Sequence, residues 1–61
     1  MILLTRVNGT PILLNDEFIE LVEETPDTVI TMKNGHRYLV KESINEIIER
    51  AVSYSRRIMG R

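Results

Sequence analysis

Apolar and polar positions alternate along the first two thirds of the chain and then recur at helical spacing. Ile2, Leu3, Leu4 and Val7 open the chain, and Asn8-Gly9 follows as a hairpin signal because both positions tolerate positive φ. Strands are predicted over about 2–7 and 10–14, then over 18–24, 28–33 and 36–41. Pro11 cannot donate to a ladder, so the second strand should lie at an edge or begin just after it. Glu17 to Glu23 could also form a helical turn, and the strand is the preferred reading there. Thr25-Pro26-Asp27 reads as a turn with Pro26 at its first corner. Asn34-Gly35 is a second hairpin turn. By two-residue alternation Ile30, Met32, Tyr38 and Val40 share one face, while Val29 and Leu39 point to the other. Apolar residues on both faces predict a sheet that curls toward a barrel or is covered by a second subunit.

The period changes at Ser43. Ser43-Ile44-Asn45-Glu46 matches a capping box, so a helix is expected over about 43–59. Ile44, Ile47, Ile48, Ala51, Val52, Ser55, Ile58 and Met59 form one apolar stripe along it. The stripe is expected to cover the sheet, with a surface shared between molecules as the alternative; the two coexist if its front half packs inward and its back half projects beyond so small a sheet. Glutamates near the start and Arg56 and Arg57 near the end complement the helix dipole. The fold class is therefore α+β: a small, curled antiparallel sheet of four to five strands with one C-terminal helix, in a single domain spanning 1–61.

Composition narrows the function more than it names it. A chain of 61 residues buries a modest core, and with no cysteine and one histidine neither disulfides nor structural zinc can reinforce it. An efficient core or self-association is the alternative. A hydrophobic share of 43% argues for folding rather than disorder. The net charge of −1 gives no global attraction to nucleic acid, but the charge is unevenly placed. Residues 16–27 hold Asp16, Glu17, Glu20, Glu23, Glu24 and Asp27 with no basic residue, and residues 50–61 hold Arg50, Arg56, Arg57 and Arg61 with no acidic one. Solvated surfaces are the plain explanation. A bipolar molecule that docks through its poles is the sharper one. It makes Glu20, Glu23 and Glu24, and Arg56, Arg57, Ile58 and Met59, the candidate partner-binding residues.

No catalytic, cofactor or metal site is expected. His36, at a hairpin shoulder, has no orienting acid or glycine elbow beside it. The carboxylates of 16–27 lack the alternating ligands and central glycine of a calcium loop. No apolar run approaches the ~18 residues of a bilayer span, so a cytoplasmic protein without direct membrane insertion is expected. Lys33, Arg37 and Lys41 around the last hairpin, with Arg6, support an alternative nucleic-acid-binding reading in which Tyr38 stacks on a base. Tyr38 alternates with core positions, however, and the chain has one Phe and two Tyr, too few for a stacking platform. Nucleic acid is the lesser expectation.

Met1-Ile2-Leu3-Leu4-Thr5-Arg6, Asn8-Gly9 and Leu14-Asn15 resemble the opening of the flagellar FlbD family, also called the swarming-motility SwrD family. Ile19, the run Glu23-Glu24-Thr25-Pro26-Asp27-Thr28-Val29-Ile30-Thr31, Asn34-Gly35, Tyr38, Val40-Lys41-Glu42-Ser43 and Ile47-Ile48 are similar to the rest of its pattern. Pro11 departs from that pattern and speaks against edge-to-edge pairing through the second strand. The resemblance implies a small, non-enzymatic cytoplasmic protein without cofactors that supports motor output or swarming. Its partners would be flagellar motor or stator-associated proteins, with recruitment to the flagellar base, and self-association is a further expectation. Two other likenesses are narrower. Leu3-Leu4-Thr5-Arg6 is similar to the start of the carbon-storage-regulator RNA-binding proteins, and Ile19 to Ile48 resembles part of a LytTR-type DNA-binding domain.

Overall fold

The computed structural model describes the backbone of residues 1–59 and the side chains of residues 1–53. Among the described residues five strands precede one helix: β1 (Ile2–Thr5), β2 (Pro11–Leu14), β3 (Ile19–Glu24), β4 (Thr28–Met32), β5 (Arg37–Val40) and α1 (Ile44–Met59). A single 3-10 turn, Asp16–Phe18, stands before β3, so the helical turn weighed for this stretch exists but ends where the strand begins.

β1 pairs with β2, and β3, β4 and β5 form an antiparallel meander. The two sheets meet at an antiparallel bridge between Arg6 and Val40. Lys41 N–H donates to the Thr5 carbonyl (2.8 Å) and Val7 N–H to the Leu39 carbonyl (3.2 Å) beside it. The strands therefore follow one another in the spatial order β2-β1-β5-β4-β3. β2 and β3 are its edges. Pro11 begins β2, where its missing N–H costs nothing.

Both Asn-Gly turns form, but not as the two-residue turns expected. Gly9 N–H donates to the Arg6 carbonyl (2.8 Å) and Gly35 N–H to the Met32 carbonyl (2.9 Å). Arg6 N–H then reaches the Thr10 carbonyl and Met32 N–H the His36 carbonyl, both at 2.8 Å. Each is a three-residue loop whose glycine alone has positive φ, +95° at Gly9 and +93° at Gly35. The asparagines serve differently: Asn8 Oδ1 accepts from Thr10 N–H and Asn34 Oδ1 from His36 N–H, each at 3.0 Å. The Thr25–Pro26 peptide bond is cis.

Among the described residues the core consists of Ile2, Leu4, Leu14, Ile30, Met32, Val40 and Ile47, with Ile12, Ile19, Val22, Tyr38 and Ala51 packed against it. Ile30, Met32, Tyr38 and Val40 share the inner face as alternation predicts, and Leu39 points outward. β3 breaks the alternation. Ile19 pairs with Met32 and Leu21 with Thr31, so Glu20 is an extra residue in a bulge. That slip lets both Ile19 and Val22 face the core, and it explains why Ile-Glu-Leu-Val-Glu-Glu does not alternate.

The stripe on α1 is not one surface. Ile47 is 5% exposed and Ala51 packs on the core, but Ile48 is 53% and Val52 43% exposed. The expectation that Ile48 and Val52 cover the sheet is therefore corrected. One helix turn spans 3.6 residues, so a sheet this narrow can seat only the flank centred on Ile47 and Ala51.

Candidate interaction surface

Polar groups fix the start of α1 to the sheet. The capping box forms as expected: Glu46 N–H donates to Ser43 Oγ (3.2 Å) and Ser43 N–H to Glu46 Oε1 (2.9 Å). Ile44 N–H, the first helical donor, is taken by Glu24 Oε1 at 3.0 Å, from the end of β3. Glu42 is 8% exposed and accepts from Thr5 N–H at 2.9 Å and from Arg50 Nη1 at 3.3 Å. Arg50 Nη1 also donates to the Leu3 carbonyl at 2.6 Å. Burial pushes the Glu42 carboxyl up, but the Thr5 N–H and the Arg50 guanidinium outweigh it and leave the group below its ordinary value of 4.5. Glu24, Glu42, Ser43 and Thr5, all within the motifs that carry the family resemblance, thus converge on one junction.

The acidic candidates separate in consequence. Glu24 is committed to the helix start. Glu23 lies opposite Val29 on the outer face, and Glu20 sits at the bulge, so both are exposed at the β3 edge on either side of Leu21. Leu21 is itself 42% exposed. Asp16, further along the acidic segment, accepts from the Met1 amino group at 3.0 Å. The side chains of Arg56, Arg57, Ile58 and Met59 lie outside the described residues; the helical backbone runs through Met59.

The basic residues do not form one stripe. Arg37 pairs with Thr31, so by alternation Arg37, Leu39 and Lys41 share the outer face. Arg6 pairs with buried Val40, and its guanidinium lies 5.4 Å from the centre of the Tyr38 ring on the inner side. Tyr38 packs against the core with a cation over one face, so it offers no open platform for a base. The nucleic-acid alternative is accordingly not favoured.

The outer sheet face carries apolar residues that sequence alternation had partly indicated. Leu3 and Leu13 pair across β1 and β2 and are 59% and 60% exposed. Val7 stands next to Leu39 across the β1–β5 junction, and Leu39 pairs with Val29. Val7 was expected inside the first strand; β1 ends at Thr5, and Val7 instead stands at a junction that joins distant segments. A groove of about 430 Å³ is lined by Phe18, Met32, Lys33 and Asn34. It presents one lysine and a turn asparagine, and no acid–base pair. Among the described residues no group of three or more His, Asp or Glu could hold a metal ion. No described helix is long and apolar enough to cross a membrane.

No curated protein and no solved structure matches the chain. A family model does match, over residues 1–59, and the sheet, the paired Asn-Gly turns and the Glu24–Glu42–Ser43 junction all lie within that span. The chain belongs to the FlbD family of flagellar and swarming motility proteins.

Proposed function

We propose that the protein is a non-enzymatic accessory of the bacterial flagellum that supports motor output and swarming by contact with motor or stator-associated proteins, acting from the cytoplasm at the flagellar base. The observation that carries this reading is the family match over residues 1–59. The contact is assigned to the β3 edge, where exposed Glu20 and Glu23 flank exposed Leu21. An edge strand offers unpaired backbone groups, and carboxylates beside an apolar side chain suit a basic segment with an apolar anchor.

The test is a deletion in a flagellated host, complemented by the parent chain or by Glu20→Lys/Glu23→Lys. Loss of swarming and of motor torque on deletion, restored by the parent but not by the charge-reversed variant, supports both parts of the reading. Unchanged motility on deletion refutes the motility role. Full rescue by the reversed variant refutes the β3 edge as the contact.

A further inference from the structure

The outer flank of α1 has the pattern of a pairing helix. Ile48, Val52, Ser55 and Met59 are spaced by four, three and four residues, the alternation of core positions in a two-helix seam. Ile48 and Val52 stack one turn apart and are exposed. The inner flank, with Ile47 and Ala51, belongs to the protein's own sheet. By helical spacing, the line beside the exposed seam holds Glu49 and, two turns later, Arg56.

We propose that α1 pairs antiparallel with α1 of a second copy of this chain through the Ile48–Val52 flank, in the register that sets the Glu49 position of each copy opposite the Arg56 position of the other. Charge decides both the occupant and the direction. In an antiparallel pair the line beside the seam of one helix meets the same line of its partner in reverse order, which sets Glu49 against Arg56 twice. A parallel pair would align the acidic half of one helix with the acidic half of the other and lose both matches. The seam is only about two heptads long, too short for free helices to hold. Here each helix is already fixed to its own sheet by Ile47 and by the Glu24 and Glu42 hydrogen bonds, and its first turn is capped by Ser43, so pairing does not have to pay for helix formation. The proposal uses a different surface from the β3 edge and does not depend on the motility reading.

Sedimentation equilibrium of the full chain tests it, with helicity followed by circular dichroism. The parent is expected to dimerise. Glu49→Arg and Arg56→Glu should each weaken self-association on the order of tenfold, because both ion pairs become repulsive. An equimolar mixture of the two variants should form a heterodimer of parent-like strength, since every pair is again opposite in sign. Val52→Ser, a mild change at an exposed site, should weaken the parent dimer by a similar factor while helicity is kept. A parent that stays monomeric at the highest concentration overturns the proposal. So does a dimer indifferent to these variants, or a mixture that does not recover.

Discussion

The two flanks of α1 are about equally apolar in sequence and very unequal in surroundings. On one, Ile47 is 5% exposed and Ala51 packs into the core; on the other, Ile48 and Val52 keep about half of their surface in solvent. The difference arises in the sheet rather than in the helix. The sheet's inner face supplies Leu4, Leu14, Ile30 and Val40, and α1 lies mainly over β1 and β3, a width that seats one helix flank. The polar junction then sets its rotation, since Glu24, Glu42 and Arg50 leave α1 one way to lie. A continuous apolar stripe thus reports two tasks, and only contacts distant in sequence show where one ends.

The inner flank is where a substitution should do the most damage. Ile47→Asp would bury an unpaired charge and remove a core side chain, a cost of about 3–5 kcal/mol. That approaches the whole stability expected of so small a core, so circular dichroism should find this variant unfolded. Next comes the junction. Glu42→Ala leaves the Thr5 N–H without its acceptor and removes the carboxylate partner of Arg50, which keeps the Leu3 carbonyl, and should cost about 2–3 kcal/mol in urea unfolding, at the low end because Arg50 is itself half-exposed.

Glu42 also gives the junction a pH signature. Its folded-state pKa lies below the ordinary 4.5, so its contribution is fully present above that value. It should fade as pH falls through the folded pKa and the carboxylate takes up a proton. Glu42→Gln should remove this acid-side loss from the stability profile. A smaller effect is expected at Glu24. Glu24→Gln keeps an oxygen acceptor for Ile44 N–H but removes the negative charge at the helix N-terminus. Thermal unfolding should register about 0.5–1 kcal/mol.

Much of the architecture was legible because it is local. The capping box, the two Asn-Gly turns, the alternation of Ile30, Met32, Tyr38 and Val40, and the edge position of Pro11 each depend on neighbours within a few residues. Three features were not. The bulge at Glu20 is defined only by pairing with β4, so its change of phase has no signature within β3 itself. Glu24 read as a candidate partner-binding carboxylate beside Glu20 and Glu23, because the amide it caps is 20 residues away. Glu42 read as a charge at a helix start because its backbone partner, Thr5, is 37 residues away. The acidic cluster consequently had to be divided: Glu24 holds the helix, while Glu20 and Glu23 remain exposed at the edge.

The division of α1 into a fold-holding flank and a free flank is tested most directly by Ile48→Asp, with thermal unfolding followed by circular dichroism at low micromolar concentration. Helix content and a cooperative transition close to those of the parent are expected, because the introduced carboxylate would stay in water. An unfolded Ile48→Asp chain would mean that the outer flank is also core, and would contradict the account.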